Sequence, residues 1–594
     1  MTEPQRPPTD DLALMKRFWV YLRPRKRAIG IGLALVPFLT LARLAQPWLL
    51  KIGIDDHILA PGSTGLGRIA GALLGVVVLA YLLTAIQTWL LQIAAIEAIG
   101  ALRTAIHRHV MAQGAAFFDT HASGSLLTRT TTDVEALGET LTMGVIGMVA
   151  DAMTILGILG AMLWLDWELT LVTFAISPLI IVTVNLFRKG LRHYSMQIRR
   201  SLSRLNGYLA EHLVGMEVIR ILGRAPKSRQ EFKSLNFAYL DAYRKSNWLD
   251  ASLYAIMDGV STLCVAAMLW IGGGRVLDDP ADGITLGLLV AFIEYITRIF
   301  VPIREFSGRI ATLQRATAAM ERIFRLLDTH QPITPGTHAE PMQADEMITF
   351  EGVSFRYRAD GEEVLKGVSF ELTPGKVVAL VGRTGSGKTT LGKRLVRMYD
   401  GYSGSIRWGA HELKSLAPDT VRAGVAMVHQ DVHLFKGTLW SNIAMGNPEI
   451  TRERAEAALR QVLADPLLDS LPGGLDAPIS ERGMHLSAGE GQLIAFARAV
   501  AHEAPVLILD EATSSIDSLL EARIQEALER LLAMKTVLVV AHRLSTVQQA
   551  DEILVLDHGQ VIERGDHESL LAAGGAYARL CQSHLADSQH ASAP

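Results

Sequence analysis

Cysteine is nearly absent. The 594 residues hold two, Cys264 and Cys581, far apart in the chain. That spacing builds neither a thiolate metal site nor a disulfide framework, so a reducing cytosolic face is expected. Charge is scarce as well. Only 20% of residues are Asp, Glu, Lys or Arg, and the formal net charge of -3 leaves no basic footprint for a nucleic-acid partner. The N-terminal residues are polar and proline-containing, without the apolar core of a cleavable signal peptide. What is abundant is apolar: 49% of the residues are hydrophobic and the mean hydropathy is positive. That is high for a soluble enzyme and points to membrane segments. The length exceeds what one hydrophobic core sustains, so two or more domains are expected.

The apolar residues concentrate in the first half, and the second half reads as a soluble α/β domain. The change falls at the polar, Pro/Gly/His-containing stretch 326–346, taken as a linker. A spanning helix needs about 20 apolar residues. Ile69–Ile96 and Leu169–Phe187 carry no charge, and Ala28–Leu50, Leu141–Leu165, Ala251–Val276 and Ile284–Phe300 carry one or two polar interruptions. Six spans are therefore expected; a large buried helical bundle is the alternative, disfavoured by the ease with which such runs insert. Lys and Arg crowd the stretch before the first span and the loop between the fourth and fifth, which places both termini and the long loops on the cytoplasmic side. Leu12, Met15, Phe18, Trp19 and Leu22 recur at helical spacing, as in a helix lying in the interface. The long loops, Phe117–Leu137 and Leu213–Phe232, have turn-prone centres flanked by helical runs and read as levers aimed at the second half. Arg43, Asp151, Asp258, Glu294 and Arg298 fall inside spans, where charge is costly and faces protein or water. Glu294 and Arg298, one turn apart, can satisfy each other; three acids against two arginines assign no substrate charge.

In the second half, "VVALVGRTGSGKTT" is a β-branched strand, a Gly-rich loop and a helix start. Gly382, Gly385 and Gly387 let the backbone approach phosphate oxygens without a Cβ clash, and Arg383, Thr384, Ser386 and Thr390 complete the turn that presents N–H groups to an anion. Lys388 reaches the β/γ-phosphates and Thr389 can ligate Mg²⁺. "VLILDEATSSID" is a second strand ending in Asp510, placed to hold the Mg²⁺ shell, and Glu511, suited to orient the attacking water. A helix cap is the plain alternative for that acidic pair. "TVLVVAHR" ends at His542, which can sense a γ-phosphate, and "GVAMVHQD" at Gln430.

With these motifs in order the chain resembles a half-transporter of the ATP-binding cassette exporter family, from about Leu12 to about Gln582. The resemblance implies a multi-domain fold: an α-helical six-span transmembrane domain followed by an α/β P-loop ATPase domain. The expected division is 1–27 as a cytoplasmic segment with an interfacial helix, 28–325 as the membrane domain, 326–346 as linker, 347–582 as nucleotide-binding domain and 583–594 as tail. It also implies that Tyr357 stacks on adenine, that Gln430 is a catalytic and metal-shell glutamine, that Glu481, Arg482 and Gly483 touch the membrane domain, and that Ser514–Asp517, with Asp517 at the nucleotide, form a subunit-contact loop. ATP and Mg²⁺ are the implied cofactors. Two such chains would sandwich two ATP molecules, each Lys388 loop and His542 facing the other chain's signature.

That signature, Leu486–Glu490, departs from the usual L-S-G-G-Q. Ser487 is an N-cap for the following helical run, and its hydroxyl would point at the partner's phosphate. Gly489 is kept. Ala488 adds a methyl and forfeits easy access to φ > 0. Glu490 adds an anion: at an effective dielectric of 20, like unit charges 6 Å apart repel by roughly 3 kcal/mol before screening. A carboxylate can instead accept from a ribose hydroxyl. Family members with one degenerate site pair an altered signature on one chain with a missing catalytic acid on the other. An intact Glu511 beside an altered signature therefore favours a heterodimer over a homodimer. The expected function is ATP-hydrolysing export of amphipathic small molecules, drugs or lipids, from a cell inner membrane. An exporter-fold importer of metal chelates and an ATP-gated or regulatory subunit are the alternatives.

Overall fold

The structure, a computed structural model, describes residues 11–59, 65–140, 144, 146–278, 284–358, 360–480, 483, 486–510, 518–541 and 544–582. It divides into two compact units: one of residues 1–109 and 124–329, the other of 110–123 and 330–594.

The first unit is helical. Its elements are α1 (Asp11–Leu22), α2 (Lys26–Ile52) and α3 (Leu66–Met111). After α4 (Ala115–Thr120), which belongs to the second unit, come α5 (Ser123–Thr130), α6 (Thr132–Glu139), α7 (Ile146–Leu165) and α8 (Trp167–Val214). The last are α9 (Met216–Ile221), α10 (Ala225–Asp278) and α11 (Leu286–Asp328). Four of the apolar runs expected to span lie whole within one helix, while the run 141–165 is described as helix over Ile146–Leu165 and the run 284–300 is helical from Leu286 on; α3, α8, α10 and α11 extend 43 to 54 residues, well past the run itself. Among the described residues, the stretches Leu12–Ile58, Leu66–Met111, Ile146–Leu165 and Ala225–Val276 are long and apolar enough to cross a membrane. The other two runs sit in α8 and α11, where side chains at 176, 177, 179–181, 184, 188 and 303–307 fall outside the described ones.

Local chemistry sets the helix ends. Asp166 accepts from the Leu169 amide at 2.8 Å to cap α8, and Thr285 caps α11 through the Leu288 amide. Such caps contribute about 1 kcal/mol each. The α9–α10 turn carries Gly223 at φ 62°. In α1, Leu14, Phe18 and Leu22 are buried at four-residue spacing, while Leu12 and Trp19 stay exposed. Arg17 of that helix pairs with Asp328 at 2.6 Å, a bidentate contact at the end of α11.

The second unit holds two main sheets. Strands β1 (Ile348–Phe355), β2 (Leu365–Leu372), β3 (Val377–Gly382), β4 (Ser403–Trp408), β5 (His411–Glu412) and β6 (Val425–Val428) come first. They are followed by β7 (Gly437–Thr438), β8 (Pro478–Ile479), β9 (Val506–Asp510), β10 (Thr536–Val540), β11 (Glu552–Asp557) and β12 (Gln560–Gly565). The first sheet is antiparallel, in the order β2-β1-β4-β5; the second runs β12-β11-β3-β10-β9-β6. In that second sheet β11, β3, β10, β9 and β6 are mutually parallel, with Val540 opposite both Leu380 and Asp510. A parallel sheet is covered on both faces, so its strands are apolar at every position. Alternation along β3 shows it: Val377, Ala379 and Val381 enter one core, Val378 and Leu380 the other.

Candidate nucleotide site

The carboxyl ends of β3, β9, β10 and β6 share one edge of the parallel sheet, where open α/β sheets bind ligands. β3 ends in the loop 382–387, which leads into α12 (Lys388–Leu395). Its glycines take φ 149°, 84° and 105° at 382, 385 and 387, values a side chain resists. At Gly387 a Cβ would also lie 2.9 Å from the Val364 carbonyl oxygen. Arg383, Thr384 and Gly385 form the exposed rim, and Ser386, Lys388 and Thr390 are buried. Lys388 Nζ donates to the carbonyls of Gly382 at 2.8 Å and Arg383 at 3.0 Å. Burial pushes its ammonium below the usual lysine range, and the Asp510 carboxylate opposes that shift. The buried Ser386 Oγ has no hydrogen-bond partner among the described residues. Thr389 Oγ1 donates to Asp510 Oδ1 at 3.3 Å. A cationic amine held by backbone carbonyls, an orphaned hydroxyl and a loop bare of Cβ atoms fit a polyphosphate. The Thr389–Asp510 pair fits the hydroxyl-plus-carboxylate donor set of Mg²⁺.

The other sequence candidates fall into two groups. Gln430 is exposed just beyond β6, on the same sheet edge. Tyr357 is partly exposed beside the loop, its hydroxyl 3.1 Å from Thr390 Oγ1. Glu481, Arg482, Glu511, Ser514, Asp517 and His542 lie outside the described residues.

Ser487 caps the helix Ala488–Ala501, accepting from the Glu490 amide at 3.2 Å. The Glu490 carboxylate turns back and accepts from the Ser487 amide at 2.7 Å and the Ser487 hydroxyl at 2.9 Å. This is a reciprocal capping box, and its Ser-x-x-Glu spacing was legible in the sequence. Ala488 is the first helical residue and does not have positive φ, so the freedom lost with glycine is not needed in this conformation. Gly489 is buried against the helix Ser518–Met534, where a Cβ would meet Leu520 Cδ2 at 2.5 Å.

The sequence reading also missed a relay inside the second unit. α4 docks there: the Ala115 amide donates to the Met398 carbonyl at 3.2 Å, and Tyr399 Oη donates to Asp119 Oδ2 at 2.7 Å. Burial and that carboxylate push the Tyr399 phenol well up. Its ring meets Tyr357 edge-on at 5.3 Å, and Tyr357 in turn reaches Thr390. The fully buried Arg394 steadies the arrangement, donating to the Tyr399 carbonyl at 2.6 Å; burial pushes its guanidinium down to about 10. Only α4's loop position hinted at this role. Tyr399→Phe should leave basal ATP hydrolysis within about twofold and cut its stimulation by transported compounds up to about fivefold, for one lost hydrogen bond worth about 1 kcal/mol. Stimulated and basal rates in lipid discs check it, and full stimulation in the variant would contradict the relay.

Comparison with known proteins gives the class that this fold and site define. Residues 29–303 match the ABC transporter transmembrane region and residues 365–514 the ABC transporter family. The chain belongs to the ABC transporter family and is an ATPase-coupled transmembrane transporter of the exporter type. It is 33% identical over 572 residues to the ATP-dependent lipid A-core flippase of Haemophilus influenzae, covering 96% of this chain and 97% of that protein. It is 35% identical over 495 residues to a probable multidrug resistance ABC transporter ATP-binding/permease protein of Bacillus subtilis, covering 83% and 73%. Among solved structures, a bacterial Atm1-family ABC exporter with ATP bound superposes with a TM-score of 0.74 at 25% identity, covering 94% of this chain and 98% of that one.

Proposed function

We propose that the chain is one half of a dimeric exporter that moves amphipathic small molecules, drugs or lipids, by alternating access, with the ATPase half and both termini cytoplasmic. The observation that carries the ATP-driven part is the Lys388–Ser386–Thr389–Asp510 constellation described above. In this reading Lys388 and the loop amides hold the phosphates, and Thr389, Asp510 and Gln430 hold Mg²⁺. Tyr357 stacks on adenine, Glu511 polarises water, and His542 senses the γ-phosphate. Ser487, Gly489 and Glu490 face the partner's nucleotide, and Asp517 lies at the contact between subunits.

The dimer is supported by the hairpin tip formed by the end of α8, α9 and the start of α10. Leu213, Val214, Val218, Ile221 and Leu222 are all exposed there, Val214 at 90%. A contiguous apolar tip on a polar lever marks a docking surface, and a second half-transporter is the partner that the family supplies. The flippase and multidrug names of the relatives favour export of lipids or drugs over import of metal chelates. Inside-out vesicles decide the direction: ATP-dependent accumulation of a fluorescent lipid or drug is expected. Accumulation only in right-side-out vesicles would establish import, and downhill flux supported equally by ATP and by a non-hydrolysable ATP analogue would establish an ATP-gated pathway.

A further inference from the structure

The stretch taken as a linker is fastened to the second unit along much of its length. Gln331 donates its amide to Gln113 Oε1 at 2.7 Å, and its carbonyl accepts from the Gly114 amide at 2.9 Å. Thr334 donates its amide to Asp400 Oδ2 at 2.7 Å, and its carbonyl accepts from Arg397 Nη2 at 2.9 Å. Further on, the Thr337 and His338 amides reach the Ser415 carbonyl, and the Ala417 amide donates back to the His338 carbonyl. Pro332 and Pro335 flank Ile333 and Thr334. A proline locks φ, so this segment is stiff where a Gly/Ser-rich tether would be slack.

Arg397 is the unusual member of this attachment. It follows α12 where the helix end turns left-handed, its amide bonded to the Arg394 carbonyl and the Met398 amide to the Lys393 carbonyl. Glycine suits that position, yet Arg397 holds φ 49° there, a conformation that a residue with a Cβ adopts only at a cost. Its side chain, 1% exposed, meets the Leu416 and Thr334 carbonyls and the Asp400 carboxylate. What offsets the strained backbone is the grip of the guanidinium. Along 397–400 the outer two residues hold the linker. The inner two hold α4, through the Met398 carbonyl and the Tyr399 hydroxyl. We infer that Arg397 and Asp400 are positioning residues for transport. They make the linker a second stiff connection from α12, the helix of the phosphate loop, to the spanning helices, through α11 and beside the connection through α4. This inference rests on the alternating-access reading.

The test reads the membrane half and the ATPase half separately. The full-length transporter is kept in inside-out vesicles from cells that express it natively, so that any partner is present. Cys264 and Cys581 are buried, and Tyr81→Cys places a thiol at an exposed position of α3, in the cavity between α2, α3, α7 and α11. A membrane-impermeant maleimide added outside these vesicles labels it from the cytoplasmic side. ATP with vanadate should slow that labelling about tenfold in the parent. Two changes are then made separately. Arg397→Gly relieves the backbone and removes the grip. Insertion of Gly-Ser-Gly-Ser between Thr329 and His330 leaves every contact above in place and adds about 11 Å of slack. Each should cut the protection to about threefold or less, while basal hydrolysis of the purified transporter stays within about twofold. Full protection in the insertion variant overturns the inference. A basal rate that falls in step with protection in both variants overturns it too, because linker and clamp would then only brace the ATPase fold. If Arg397→Gly does not fold, the insertion decides alone. A parent without protection sinks the alternating-access reading and the inference with it; a protected parent with equally protected variants sinks the inference alone.

Discussion

Lys388→Ala should leave a folded chain whose ATP hydrolysis is lost to the level of the Glu511→Gln control. The side chain is 5% exposed at the first turn of α12 and is fastened to the carbonyls of Gly382 and Arg383. Its depressed ammonium is desolvated in advance, so its attraction for phosphate oxygens is not spent on shedding water. Removing one such preorganised donor from a site where charge develops costs about 10²–10³-fold in turnover. The fold should tolerate the change, because the two carbonyls it leaves lie at the loop mouth and the cost is about 1–3 kcal/mol in a unit with two apolar cores. Steady-state hydrolysis, nucleotide binding and the melting temperature, measured together on the variant and the parent in lipid discs, check it. Turnover within a few fold of the parent would mean that Lys388 serves only to brace its own loop.

The phosphate loop was legible because its chemistry is local. Three glycines, a lysine and a threonine at fixed spacing need nothing from the rest of the chain, and the structure adds that each glycine takes a positive φ. The long apolar runs were legible for a similar reason: a continuous run reads as one helix wherever it packs. Long-range placement was harder to read. Arg309 lies nine residues past the end of the last expected span and reaches Asp151 on α7, a pairing set by helix packing that no periodicity encodes. Asp119 meets Tyr399 across 280 positions of sequence. Glu490 is a different kind of miss. Its capping spacing was present, but the likeness to a phosphate-facing signature drew attention to the charge and away from the backbone amide that the carboxylate satisfies.

That cap makes Glu490→Gln a clean experiment on the signature, and activity should rise. Glutamine occupies the third helical position of a capping box as well as glutamate does, so the Ser487 amide keeps its acceptor and the helix start is preserved. What changes is the charge, together with the grip on Ser487. In the parent chain the Ser487 hydroxyl donates to a carboxylate at 2.9 Å; in the variant it is held by a neutral amide and is freer to donate to the partner's phosphate. The repulsion removed is at most about 3 kcal/mol at 6 Å, and solvent exposure and salt reduce it by half or more. An increase in hydrolysis of up to about tenfold follows for any dimer in which this signature completes a competent site. Ala488→Gly should add little, because position 488 does not have positive φ. The measurement is Mg²⁺-dependent hydrolysis of the chain purified alone, with Glu490→Gln, Ala488→Gly and the double variant side by side. A tenfold rise in Glu490→Gln alone would show that two copies of this chain form working sites that the native carboxylate restrains. No rise in a folded, ATP-binding variant would mean that the charge is not what limits the site, and a partner with an intact L-S-G-G-Q would be required for turnover.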